Sequence, residues 1–142
     1  MIDRRVTPFM PWHYDWLRAS EPAEGATLTI DETTLGVIAK SNSWTGAVDG
    51  APVICAGTIQ HWPGRHMAWA YVARGTLKHL SWITERVREN LAGLKGRIEF
   101  TVRADFAPGL RWAKSLGFEV ETPLMKSFGP LGENHVGFVR IN

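Results

Sequence analysis

A single cysteine and only two tyrosines stand among the 142 residues of this chain. One cysteine, Cys55, excludes an intramolecular disulfide and with it the stapled scaffold of small secreted domains. Cys55 lies inside the apolar run Pro52–Ile59, which predicts a buried small side chain rather than a nucleophile. No apolar run is long enough to span a membrane, and the first residues lack the apolar core of a secretory leader. The expectation is a reducing cytoplasm and no membrane partner. Lysine and arginine number 16 against 14 aspartate and glutamate, a net charge of +2, and the cations are scattered, so nucleic acid is not an expected partner. His61 and His66 are separated by a turn, with no cysteine or carboxylate cluster beside them, so no metal site is expected. No Ser-His-Asp ordering, internal repeat or low-complexity tract is present. One domain spanning 1–142 follows.

What is present is a globular composition, 44% hydrophobic and 21% charged, which argues against disorder. Seven tryptophans are many for this length. They predict a small domain that builds its core from large side chains, with one or two left to line a pocket.

Along the chain, Arg4–Phe9 reads as a short strand and Pro11–Ala19 as a helix, with Trp12, Trp16 and Leu17 on one face. Pro22 and Gly25 make Ser20–Ala26 a loop, and Thr27–Asn42 fits either a helix begun near Asp31 or an extended segment. Trp44–Val48 and Pro52–Gln60 flank Asp49-Gly50, a hairpin signal. A second turn through Pro63-Gly64 leads into Met67–Val72, where Met67, Trp69 and Tyr71 share one face. Thr76–Leu94 carries an apolar stripe at helical spacing (Leu77, Leu80, Ile83, Val87, Leu91, Leu94). Arg97–Arg103 alternates as a strand, Phe118–Glu121 is another, and His135–Ile141 closes the chain. This order predicts an α+β fold with a mixed, mostly antiparallel central sheet flanked by helices.

The segment Asp105-Phe106-Ala107-Pro108-Gly109-Leu110-Arg111-Trp112-Ala113-Lys114-Ser115-Leu116-Gly117-Phe118 reads as a helix capped by Asp105, with Pro108 in its first turn. Gly117 suits a left-handed position after the last turn, and Phe118 can fold back onto it.

That helix, ending in Leu-Gly-Phe before a strand, together with the order of elements from Trp44 to Ile141, resembles the GNAT superfamily of acetyl-CoA-dependent N-acetyltransferases. Arg74–Ile83, Arg103–Phe118 and Gly137-Phe138-Val139-Arg140 further resemble short GNAT-like proteins of tailed phages, including an internal virion protein group. The resemblance implies that Met67–Val72 and Arg97–Val102 splay apart and that acetyl-CoA lies in the wedge between them. It implies cofactor binding by Val72, Ala73, Arg74, Gly75 and Thr76, where backbone N–H groups at a helix start attract phosphate, Arg74 adds charge and Gly75 permits close approach. The junction departs from the family's longer Gly-rich loop. Ala113 stands where a tyrosine often protonates the departing thiolate, and Phe106 falls near the place of a common asparagine.

Acetyl transfer needs a polarised carbonyl, a neutral amine and alignment. A backbone N–H at Tyr71 or Val72 can polarise. His66 and Glu99 are candidate bases, with His61 and Asp105 behind them, and Tyr71 is the candidate acid. Three readings remain open. One is an N-acetyltransferase acting on an unknown amine acceptor. Another is a non-catalytic GNAT-like phage component that meets phage or host proteins, in the host cytoplasm or the virion. The third is a non-catalytic acyl-CoA-binding regulator.

Overall fold

In the computed structural model the structure describes residues 1–20, 30–73 and 75–142. Residues 21–26 of the expected loop, the first three residues of the ambiguous stretch 27–42, and Arg74 lie outside them. Among the described residues, seven strands form one sheet in the order β1-β2-β3-β4-β5-β7-β6. They are β1 (Arg4–Pro8), β2 (Asn42–Val48), β3 (Ala51–Trp62), β4 (Arg65–Val72), β5 (Arg97–Arg103), β6 (Glu119–Met125) and β7 (His135–Ile141). Every neighbouring pair is antiparallel except β4 and β5. The α+β class and the mostly antiparallel sheet are as the sequence predicts.

Helices α1 (Pro11–Ser20) and α2 (Glu32–Ala39) cover one face, α3 (Leu80–Ala92) and α4 (Ala107–Ser115) the other. The ambiguous stretch before β2 resolves as α2, because the Asp31 carboxylate accepts the Thr34 N–H at 2.7 Å and caps the first turn. The α1/α2 layer buries Tyr14, Leu17, Leu35 and Ile38 against Cys55 and Tyr71. The α3/α4 layer buries Ile83, Val87, Leu91, Ala113 and Leu116 against Ile54, Ile98 and Phe138. Cys55 is fully buried, and burial pushes its thiol up to about 12.

The structure corrects four local expectations. In α1 the buried face is His13, Tyr14 and Leu17, whereas Trp12 and Trp16 are exposed. His13 turns inward, where its Nδ1 lies 2.8 Å from the buried Thr45 hydroxyl. The predicted helix start at Thr76 is a 3-10 turn, Thr76–His79, and the α-helix proper begins at Leu80. Asp105 does not cap α4: its carboxylate accepts from Arg103 Nε at 2.5 Å, and the cap residue is Phe106, without a side-chain cap bond. The sixth strand begins at Glu119 and runs on through Pro123 to Met125, which an edge strand tolerates because the missing N–H would face solvent.

The end of α4 matches its sequence signature. Gly117 takes φ +89°, its N–H donates to the Lys114 carbonyl at 3.1 Å, and the Phe118 N–H reaches the Ala113 carbonyl at 3.2 Å. These are the two bonds of a Schellman motif, and Phe118 is buried beneath them.

Candidate functional site

β4 and β5 are parallel neighbours over three residue pairs only: Arg65↔Arg97, His66↔Ile98 and Met67↔Glu99. Beyond Met67 and Glu99 that ladder stops. β4 nevertheless stays paired with β3 as far as Val72, and β5 with β7 as far as Arg103. The sheet therefore opens into a wedge between Ala68–Val72 and Phe100–Arg103.

The closed end is pinned by backbone and charge. The Arg97 N–H donates to the Gly64 carbonyl at 2.8 Å, and a Cβ on Gly96 would lie 2.5 Å from that oxygen, so the approach requires glycine. Arg65 pairs with Glu99 through both guanidinium and carboxylate ends, and Arg97 pairs with Glu121 and approaches Glu99 at 3.6 Å. The Trp62 ring lies 4.6 Å from the Arg65 guanidinium carbon. The hydrogen bond from Arg65 is the main cause that holds the Glu99 carboxyl below its ordinary range.

Strand alternation decides which backbone groups face the wedge. The Ala73 N–H donates to the Val53 carbonyl at 2.9 Å, and Val72 stands opposite Ile54. Hydrogen-bonded and non-bonded pairs alternate in an antiparallel ladder, so the N–H and C=O groups of Val72 and Ala70 turn away from β3 towards β5. The Tyr71 N–H turns the other way. Val72, not Tyr71, thus presents the donor suited to polarising a carbonyl.

The expected proton-handling residues are not brought together. Tyr71 is buried on the α1/α2 face, its ring 5.1 Å from that of fully buried Tyr14. His66 lies on the opposite face at the closed end, buried, with Nε2 3.2 Å from the Lys95 carbonyl. Glu99 shares the Tyr71 face but sits in the ion-pair network at the closed end. His61 is exposed beside Trp62.

At the β4–α3 junction the phosphate-binding expectation meets a mixed set. The Ala73 N–H is spent on β3, and the buried Thr76 hydroxyl donates to the Ala73 carbonyl at 2.9 Å. Arg74 is outside the described residues. Gly75 is exposed at φ +84° with open space where a Cβ would stand, so the backbone is approachable there. Sequence reasoning missed Arg4, whose Nε and Nη2 lie 3.4 and 3.3 Å from His79 Nδ1 at the start of α3. Burial and the Arg4 charge lower the His79 pKa. No sequence spacing signals a pair so distant along the chain.

Two further features lie outside the sequence reading. Trp112 of α4 donates its indole N–H to the Thr84 hydroxyl of α3 at 3.0 Å, tying the two helices across the wedge. At the head of β7, His135 Nε2 lies 3.4 Å from Glu133 Oε1, and the Phe128 ring centroid is 5.1 Å from that imidazole. His135 Nδ1 is buried without a hydrogen-bond partner among the described residues. The Glu-x-His spacing before the last strand is the signal that could have found this pair.

A parallel pair that opens after a short ladder, with helices beginning at its wide end, defines the GNAT N-acetyltransferase fold. Solved structures bear this out. Ard1 from Thermoplasma volcanium superposes with a TM-score of 0.76 at 12% identity over 97% of both chains. The ribosomal-protein-S18-alanine N-acetyltransferase from Escherichia coli gives 0.70 at 14% identity, covering 97% of this chain and 93% of that one. A GNAT-family acetyltransferase from Streptococcus pneumoniae gives 0.69 at 11% identity, covering 99% of this chain and 100% of that one. No protein-family model matches the sequence, and neither does any curated protein. The likeness is one of fold. Among the described residues no helix is long and apolar enough to cross a membrane.

Proposed function

We propose that the chain is an N-acetyltransferase that binds acetyl-CoA in the wedge and transfers acetyl to a primary amine by direct attack. The observation that carries this reading is the ladder that ends at Met67↔Glu99 and leaves the outward backbone groups of Ala70 and Val72 facing β5. When bound, acetyl-CoA supplies the acyl group as a thioester: an N–C bond forms, an S–C bond breaks, and the proton lost by nitrogen ends on sulfur. The Val72 N–H orients the carbonyl, Gly75 and Thr76 meet the phosphates together with Arg74, and Tyr71 handles the proton. Glu99 is too strongly paired to serve as an efficient base, and His66 is remote from the open end. The site of action is the cytoplasm. The test is thiol release from acetyl-CoA with a panel of primary amines, with mass spectrometry of the acceptor. Amine-dependent release is the expected result.

A second reading, a non-catalytic GNAT-like component of the kind phages carry, or an acyl-CoA-binding regulator, is favoured by one observation. Ala113, at the position matching the family's acid, is fully buried in the core and offers no polar atom. In that reading the chain acts through other phage or host proteins, in the host cytoplasm or the virion. Binding of CoA without thiol release selects the regulator, and absence of binding selects the structural component.

A further inference from the structure

The corner between β1 and α1 is closed by a buried histidine that plays no part in the wedge. Met10 immediately precedes α1, and its backbone N–H donates to His13 Nδ1 at 3.1 Å, while the His13 N–H donates to the Met10 carbonyl at 2.9 Å. His13 thus stands where a capping box places a glutamate or glutamine that reaches back to the cap residue. A backbone N–H can only donate, so Nδ1 offers its lone pair and the ring proton of the neutral imidazole sits on Nε2. The Thr45 hydroxyl lies 2.8 Å from the same Nδ1, and Cys55 Sγ lies 3.6 Å from that hydroxyl. Phe9, next to Met10, is buried with its ring 5.6 Å from that of Trp69 on β4.

We propose that His13 is a proton-operated latch: a proton on Nδ1 displaces the Met10 N–H and releases the start of α1 from this corner. The added N–H would face the Met10 N–H, donor against donor, whereas the Thr45 hydroxyl can rotate to accept it. The new charge also falls at the positive end of the helix dipole, where a cation is disfavoured. No charge close by offsets it. Towards His13, β2 presents Thr45, β3 the Cys55 thiol and β4 the Tyr71 phenol, with Tyr14 beside it on α1. Arg4 and Arg5 of β1, Asp15 and Arg18 of α1 and Glu32 of α2 are exposed. Burial holds the imidazole below its ordinary 6.5. The closed corner therefore keeps its full stability above about pH 6.5 and loses it as pH falls through the lower folded value. The latch operates whether or not the wedge binds acyl-CoA. It bears on β4 all the same, because α1 carries Tyr14, whose ring lies 5.1 Å from that of Tyr71.

The test is nuclear magnetic resonance of the wild-type chain and His13→Gln between about pH 7.5 and 4.5, the range in which a histidine titrates. It reads the His13 ring nitrogens and the exchange of the Met10 amide, corrected for its intrinsic rate. At the upper end His13 is expected as the Nε2–H tautomer. Protection of the Met10 amide is expected to fall about tenfold as the ring titrates, the effect of roughly one lost hydrogen bond, while the β5 amides keep theirs. Glutamine keeps the capping-box bond and takes up no proton, so in His13→Gln the fall disappears. Should that variant not fold, Thr45→Val supplies the second arm: the charged ring loses its acceptor, and the fall moves to lower pH. An Nδ1–H tautomer at neutral pH or a ring that stays neutral throughout would overturn the inference. So would Met10 protection that the titration leaves unmoved, the same fall in His13→Gln, or a fall that Thr45→Val leaves in place.

Discussion

The indole N–H of Trp112 meets the hydroxyl of Thr84 at 3.0 Å, joining α4 to α3 on the helical side of the wedge. Thr84→Val keeps the side-chain shape and removes the acceptor. The expected cost is about 1 kcal/mol, the usual net value of a partly buried neutral hydrogen bond. Urea denaturation checks it: the midpoint falls while the slope stays constant.

Two glycines separate conformational cost from steric cost. Gly117 needs φ +89°, and its substituted Cβ would meet Arg140 Nη1 only at an ordinary 3.5 Å, so Gly117→Ala is expected to lose about 1 kcal/mol from backbone strain. At Gly57 a Cβ would run into the Asn42 carbonyl and lie 2.7 Å from Ser43 Cα. Gly57→Ala is expected to lose about 3 kcal/mol, since neighbouring backbone must move. Equal losses in thermal unfolding would contradict this division.

The Glu99 carboxyl is held below its ordinary value of 4.5, first by the hydrogen bond from Arg65 and then by the charges of Arg65 and Arg97. A depressed folded-state pKa adds stability that is fully present above the unfolded pKa and disappears as pH falls through the folded one. Stability is therefore expected to be flat on this account from neutrality to about pH 5 and to decline below 4.5. Glu99→Gln should lower stability at pH 7 and flatten the acid limb. An unchanged acid limb in that variant would assign the decline to other carboxylates.

Much of the scaffold is legible in the sequence, and the reasons are local. Arg97–Arg103 alternates polar and apolar residues and has the bounds that alternation predicts, and the last strand has its expected bounds, His135–Ile141. Asp49-Gly50 and Leu116-Gly117-Phe118 encode positive φ directly, at 50° and 85° in the turn and 89° at Gly117. The features that fail are relational. Trp12 and Trp16 are exposed because His13 wins the inward face through Thr45 on a distant strand. Asp105 leaves the helix cap because Arg103 offers a charged partner. The wedge was legible only through resemblance, since no periodicity announces where a ladder stops. The placement of Tyr71, His66 and Glu99 on separate faces or ends is set by strand parity and register, which spacing along the chain does not reveal.

Cys55 is fully buried, with its thiol pushed up to about 12. The native protein is expected to show no reaction with a disulfide reagent at neutral pH, and one equivalent after denaturation. Rapid reaction of the folded protein would contradict its burial. The same silence leaves thiol-release assays of transfer free of background from the chain.

Tyr71→Phe keeps the ring packed against Tyr14 and removes only the hydroxyl. In the transfer reading it is expected to lower kcat by about 10²-fold, the scale of one acid–base group, with little change in KM for acetyl-CoA. An unchanged kcat would take Tyr71 out of the chemistry.

The central claim is that ligand binds along the outward edge of β4. It is tested most directly by titrating acetyl-CoA into the wild type and into Val72→Pro. Proline deletes the Val72 N–H that faces β5 and, by the alternation set at Ala73, removes no bond to β3. The account predicts measurable heat with the wild type and affinity weakened by about tenfold or more in the variant, the cost of about one hydrogen bond to a bound ligand. Absence of heat at millimolar acetyl-CoA, or equal affinity in the two proteins, would contradict it.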